Sequence, residues 1–229
     1  MTSMNFERIF SYLLGLELNN RRDWFHQTHD DYVAAKADFE GFVGMLQLQV
    51  LGASPVMGER LMMLPPKSCI YRIMRDMRYV RDGRPYNPWF SAYLTGNGKN
   101  SSEVGFYVRI QPGGSCLGTG MYSSGDSVLT RRVRRYLAEH ADEWEAMMAD
   151  PQIREWFTGD KLKRVPKEYS PDHPQAEWLK YKSWSLLCPL HDDQLNSFED
   201  ASVLAGSVFA KMEPFRQWMD AALNQPSED

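Results

Sequence analysis

The residues of this chain most suited to chemistry lie between Ser68 and Leu94, where Arg72, Arg75, Arg78, Arg81 and Arg84 recur every third position around Asp76 and Asp82. A guanidinium group donates paired N–H bonds that match carboxylate and phosphate oxygens, so several on one surface make an anion site. The same residues also have an internal reading, with Asp76 paired to Arg72 or Arg78 and with Arg81 and Arg84 as solvated turn charges. Asp76 is the candidate catalytic group of the cluster: a carboxylate beside arginines can act as acid or base while a guanidinium stabilises developing negative charge.

Other reactive types are less well arranged. Arg131, Arg132, Arg134 and Arg135 fall in the early turns of a helix, where the macrodipole disfavours cations. Helix N–H groups and arginine together can hold an anion, whereas pairing with Glu139, Asp142 and Glu143 makes the cluster a solvated face. His26 and His29, with Asp30 and Asp31, offer ligands from one helical turn, but spacing identifies no third partner, so no metal is expected. No cofactor is implied either. Cys69, Cys116 and Cys188 are odd in number and widely separated, which fits neither a disulfide framework nor a metal knuckle. They read as small buried hydrophobes. The segments GNGKNSS (96–102) and PGGSCLGTG (112–120) lack the residue order of a phosphate loop and read as hairpin loops, with the strand glycines leaving space beneath tyrosines.

Apolar spacing supplies the elements that must position these groups. Phe6, Ile9, Phe10, Leu13 and Leu14 predict a helix ending near Asn19, and Asn20 caps a second helix that runs from Arg21 to about Leu51. Residues 53–67, with Pro55, Pro65 and Pro66, are read as connector. From Ser68 the period becomes two: Cys69, Tyr71, Ile73, Met77 and Tyr79 share a face, while Arg72, Asp76 and Arg78 lie on the other. Arg75 intrudes on the apolar face, where an unpaired charge is costly, so a structural ion pair to a carboxylate or carbonyl of a helix is expected. Asp82-Gly83 supplies a tight turn and Trp89 to Leu94 the return strand. Val104 to Ile110 and Leu117 to Tyr122 form a further hairpin, with Ile110 opposite Leu117; Tyr107, Arg109 and Tyr122 then share a polar face. Helices are predicted over Ser124–Ala149, with Asp126 or Ser127 as cap, and over Gln194–Asn224, with Pro214 as a kink. A further strand is expected over residues 183–188.

The totals exclude several classes. A 43% hydrophobic content excludes a disordered chain, and a net charge of −4 gives no general basic field for nucleic acid. No stretch approaches the roughly 20 apolar residues of a membrane span, and the N-terminus lacks the pattern of a secretion signal. The reading is a soluble, cytoplasmic protein.

At residues 72–86, R-I-M-R-D-M-R-Y-V-R-D-G-R-P-Y, the chain resembles the pattern RxxRDxRFxx[DN]KxxY of a family of bacterial conserved hypothetical proteins, the domain of unknown function 2461. Arg72, Arg75, Asp76, Arg78, Asp82 and Tyr86 stand in the expected places; Tyr79 replaces Phe, and Gly83 replaces Lys, which removes a cation and suits a tight turn. The resemblance extends to L-N-N-R-R-D-W-F at residues 18–25, to the hairpin from Gly105 to Tyr122 and to P-K-E-Y-S-P-D-H-P at residues 166–174. It implies a single unit and no particular activity.

These observations predict an α+β fold: an antiparallel meander over residues 68–122 packed by N-terminal and C-terminal helices, in one domain. Three functional readings stand. A small phosphate- or carboxylate-bearing ligand is held by Arg72, Arg78 and Arg109 with Tyr86, Tyr107 and Tyr122 around it; an enzyme uses Asp76 at the same face; or the arginines meet an acidic partner protein.

Overall fold

The computed structural model describes residues 6–121 and 127–225. Its first helix, α1 (Phe6–Leu18), buries Phe6, Ile9, Tyr12, Leu13 and Leu16, the face its periodicity marks out. The second predicted helix is two, α2 (Arg22–Gln27) and α3 (His29–Ala53). The break falls at Thr28, whose hydroxyl donates to the Trp24 carbonyl at 2.9 Å. Such a back-bond competes with the helical ladder and bends it.

Helices also occupy the stretch expected to be connector: α4 (Pro55–Met62) and α5 (Pro66–Cys69) each have proline in the first turn. The N–H that proline lacks is unpaired there in any helix, so it starts these elements rather than stopping them. Gly58 brings α4 against α3, since a Cβ there would lie 2.3 Å from the Leu51 Cα. Buried Gln47 donates to the Leu61 and Leu64 carbonyls at 3.3 and 3.0 Å, tying the end of α4 to α3.

The strand expected over residues 68–80 does not form. Only two isolated bridges occur there, Ile70 with Ala92 and Met74 with Tyr86. Four steps of chain on one arm therefore face six on the other, and the longer arm contains Pro88, which has no N–H to give. Regular pairing begins at β1 (Phe90–Leu94), which is antiparallel to β2 (Phe106–Ile110), with Phe90 opposite Ile110 and Leu94 opposite Phe106.

The chain continues through β3 (Ser115–Met121), α6 (Ser127–Glu139), α7 (Ala141–Met148), α8 (Pro151–Trp156), β4 (Phe157–Thr158), α9 (Ala176–Leu179), β5 (Trp184–Leu190) and α10 (Phe198–Leu223). The helix expected over Ser124–Ala149 divides at His140 between α6 and α7; the proposed cap Asp126 lies outside the described residues. Pro214 sits inside α10 without dividing it. The strands form one five-stranded antiparallel sheet in the order β1-β2-β3-β5-β4, and the class is α+β. Among the described residues no helix is long and apolar enough to cross a membrane.

The chain divides into two compact units, passing between them on either side of residues 103–105 and inside β3, β5 and α10. The first comprises residues 1–102, 106–117 and 189–210. Its core joins the helices to the apolar sheet face: Phe39 stacks on Phe90 at 5.4 Å, Phe106 on Phe209 at 4.5 Å, and Phe6 meets Phe198 edge-on at 4.6 Å. The second comprises residues 103–105, 118–188 and 211–229. There Trp144 is fully buried among Phe157, Trp178, Phe215 and Trp218.

One buried ion pair organises the second unit. Arg216 donates through Nε and Nη2 to the two Glu213 carboxylate oxygens at 2.6 and 2.8 Å, and through Nη1 to the Val104 carbonyl at 2.9 Å. Removing one member of such a pair leaves the other charge desolvated. Glu213→Leu is expected to lower unfolding stability by about 3–5 kcal/mol, measured by chemical denaturation; an unchanged midpoint would show that the pair is not holding the unit.

Candidate functional site

Residues 70–92 fold back on themselves and are closed by main-chain bonds. The Tyr71 N–H donates to the Ser91 carbonyl, the Asn87 N–H to Ile73 and the Arg75 N–H to Pro85, each at 2.9 Å. What these bonds enclose is an arginine-bearing loop, and its turn is made at Gly83 with φ +71°, a conformation costly for any residue with a Cβ.

Inside the loop each aspartate captures one arginine. Arg75 Nη1 donates to both Asp82 oxygens, at 2.8 and 3.0 Å, and to the Arg84 carbonyl at 3.1 Å. Arg78 donates through Nε to Asp76 Oδ1 at 2.9 Å and through Nη2 to Oδ2 at 2.6 Å, and its backbone N–H donates to Oδ1 at 3.2 Å. The Arg78 bonds hold the Asp76 carboxyl below its ordinary value, helped by the charge of Arg72. Arg75, with the Arg84 backbone N–H, does the same for Asp82. Arg72, Arg81 and Arg84 are exposed. So is Tyr79, at 80%, with the Arg78 guanidinium 5.7 Å from its ring centre.

The loop is anchored from a distant part of the chain. Asn20 Nδ2 donates to the Tyr86 carbonyl at 2.9 Å, and Asn20 Oδ1 accepts from the Tyr86 N–H at 3.1 Å. Beside this clamp the Phe25 ring stacks on the Tyr86 ring, 4.1 Å between centres and 11° between planes. Tyr86 is therefore buried, and burial pushes its phenol up, opposed by the charge of Arg22.

The structure thus gathers Arg72, Asp76 and Arg78 on the loop and stacks Tyr86 on Phe25 of α2. Arg109 and Tyr107 lie on β2, on the face opposite buried Phe106, Val108 and Ile110, paired across the sheet with Ser91 and Tyr93. Arg109 Nε donates to the Gly114 carbonyl at 3.0 Å, and its guanidinium lies 5.8 Å from the Trp89 ring centre. Burial pushes the Tyr107 phenol up, opposed by its hydrogen bond with Ser91, and pushes the Cys116 thiol up, opposed by Arg109. Tyr122 lies outside the described residues.

Several expectations are corrected. Arg75 takes its carboxylate from Asp82 of the same loop rather than from a helix, and its side chain is 28% exposed. Without a strand over 68–80 the two-residue alternation does not govern it. Tyr79, placed by that alternation on the apolar face, is exposed. Gly118 and Gly120 make room for β5 rather than for tyrosines: a Cβ at Gly120, where φ is +116°, would lie 2.3 Å from the Trp184 carbonyl oxygen. In α6, Arg134 is buried and donates to the Tyr181 carbonyl at 2.8 Å, while Arg132 donates to the Leu223 carbonyl at 3.0 Å, so these arginines tie main-chain ends in place.

Asn20 and Phe25 are the residues that sequence reasoning missed. Asn20 reads as a helix cap, yet α2 begins after Arg21 with no side-chain cap bond, because the amide is committed to Tyr86.

A sequence profile of a family described as Conserved hypothetical protein (DUF2461) matches residues 8–218. The chain belongs to this family. Both segments joined by the Asn20 clamp, residues 18–25 and 72–86, fall inside the domain of unknown function 2461 match. No curated protein and no solved structure matches the chain.

Two outcomes follow from the anchor and the pairs. Asn20→Ala leaves the part-buried Tyr86 N–H without its acceptor and is expected to cost about 1–3 kcal/mol in chemical denaturation; a loss no larger than that of an exposed Asn→Ala control would rule out the clamp. Because Asp82 has a depressed folded pKa, its contribution to stability is present above the ordinary value of 3.8 and is lost as pH falls through the lower one. A carboxyl NMR titration should place the Asp82 midpoint below 3.8 in the native chain and closer to it in Arg75→Gln, where the Arg84 N–H still lowers it.

Proposed function

We propose that the protein is a binding protein whose 72–84 loop receives an acidic segment of a partner protein. The observation that carries this reading is the division of charge within the loop. Asp76 and Asp82 take Arg78 and Arg75 into pairs that fix the loop, while Arg72, Arg81 and Arg84 stay exposed on the same loop as the exposed Tyr79 ring. Guanidinium groups held on a fixed, open surface suit carboxylates presented by a chain, and the aromatic ring offers a contact at low entropic cost. Arg78 bonds to both Asp76 oxygens, which weighs against an acid or base role for that carboxyl.

A second reading, a small carboxylate or phosphate ligand, is favoured by the half-buried Arg109 beside Trp89, Tyr107 and Ser91 on the outer face of β2. Its guanidinium is already oriented by the Gly114 carbonyl, so an arriving anion would meet a fixed donor.

Fluorescence anisotropy with a labelled hexaglutamate peptide separates the two. At roughly 0.5 kcal/mol for each exposed pair, the combined Arg72→Ala, Arg81→Ala and Arg84→Ala variant is expected to bind about tenfold more weakly. Arg109→Ala should bind the peptide as the native chain does. Equal affinity of the triple variant and the native chain would overturn the loop reading. Inorganic phosphate binding that is lost only in Arg109→Ala would establish the second.

A further inference from the structure

The arginine loop carries a second pattern that its charge does not account for. Tyr71, Met74 and Met77 stand at every third position, each directly before an arginine (Arg72, Arg75 and Arg78), and Tyr79 follows. These four residues are between 38% and 80% exposed. Ile70 and Ile73, interleaved with them, are buried. The loop therefore has an inner side that takes isoleucine and an outer side that leaves tyrosine and methionine in water.

Single exposed apolar residues are ordinary on any protein surface. Four within nine residues of one loop are a concentration, and such concentrations mark places where another molecule binds. Their types are also those of an interface: tyrosine, methionine and arginine are enriched where proteins meet and lysine and glutamate are depleted, and residues 71–84 contain no lysine or glutamate. The unbranched thioether chains of Met74 and Met77 can repack around partners of irregular shape. Main-chain bonds at the base and the Arg75–Asp82 and Arg78–Asp76 pairs hold the frame that presents them, so little ordering of the loop is left to be done on binding.

Charge names the occupant. Residues 71–84 set five arginines against two aspartates in a chain whose net charge is −4. We propose, on the reading of this loop as a receptor for acidic protein segments, that the segment it takes carries large aliphatic or aromatic side chains among its carboxylates. Glutamate or aspartate meets Arg72, Arg81 and Arg84, and the apolar side chains pack on Met74, Met77 and the Tyr71 and Tyr79 rings. A purely acidic segment would leave the outer side in water, and a purely apolar one would give Arg72, Arg81 and Arg84 no carboxylate.

Fluorescence anisotropy of the full chain with two labelled peptides of equal length and charge, an alternating glutamate–leucine hexapeptide and an alternating glutamate–glycine one, reads the apolar contribution alone. The glutamate–leucine peptide is expected to bind at least about tenfold more tightly, the gain from covering one or two leucine side chains. In the combined Met74→Ser, Met77→Ser and Tyr79→Ser variant that gain should disappear while hexaglutamate binding stays as in the native chain. All three substituted side chains are exposed, so the thermal midpoint should hold as well. Equal affinity of the native chain for the two mixed peptides, with hexaglutamate still bound through the arginines, would overturn the proposal and leave the loop reading standing. So would an undiminished glutamate–leucine gain in the Met74, Met77 and Tyr79 variant. Binding of phosphatidylglycerol vesicles with neither mixed peptide bound would overturn it in favour of a lipid surface, and failure of hexaglutamate to bind as well would overturn the loop reading together with it.

Discussion

The two-way bond between the Asn20 side chain and the Tyr86 backbone is the constraint on which the candidate site depends. It satisfies a donor and an acceptor on a stretch that makes only isolated bridges, one of them to the sheet edge, and it does so from a residue 66 positions away. An unpaired N–H there would cost free energy comparable to a lost hydrogen bond. With Phe25 stacked beside it, the clamp gives the loop a fixed end against the helices. The Arg75–Asp82 and Arg78–Asp76 pairs then set the shape above that end. Such exposed pairs contribute little to global stability; their effect is to restrict where the remaining guanidinium groups can point.

The first unit thus holds an exposed arginine loop and a cavity lined by Glu7, Trp24 and Asp31, and α2 takes part in both. Arg72, Arg81 and Arg84 stand on the loop whose base meets Phe25, while Trp24, the residue before Phe25, lines the acidic cavity with α1. Neighbouring residues of one short helix therefore support both, Phe25 by burial against Tyr86 and Trp24 by its position against Gly15. The second unit depends on different physics: a cluster of indole and phenyl rings around Trp144, closed by a buried arginine–glutamate pair. Arginines of α6 that resemble an anion site in sequence donate there to main-chain carbonyls.

Elements whose apolar spacing is regular were legible in the sequence: α1, β2 and the long α10 follow their periodicity, and β1 was legible as the return strand after the Asp82-Gly83 turn. The arginine stretch was not, because alternation of polar and apolar residues over 68–80 looks like a strand whether or not a partner can pair with it. Pro85 and Pro88 removed donors from the arm that would have paired, and Asp76 and Asp82 turned the chain by bonding to N–H groups two residues ahead. The split at Thr28 and the helices begun by Pro55 and Pro66 depend on side-chain and first-turn chemistry that a count of apolar residues does not register. Asn20 was legible only as a cap, since nothing in local spacing relates residue 20 to residue 86.

A clamped, internally paired loop is the central claim, and amide hydrogen exchange measured residue by residue tests it most directly. The amides of Tyr71, Arg75, Tyr86 and Asn87, each bonded at the base, are expected to exchange slowly, while the exposed amides of Arg81 and Gly83 at the tip exchange fast. Fast exchange at all of these positions, from Tyr71 through Asn87, would contradict it and leave the arginines on an unfixed segment.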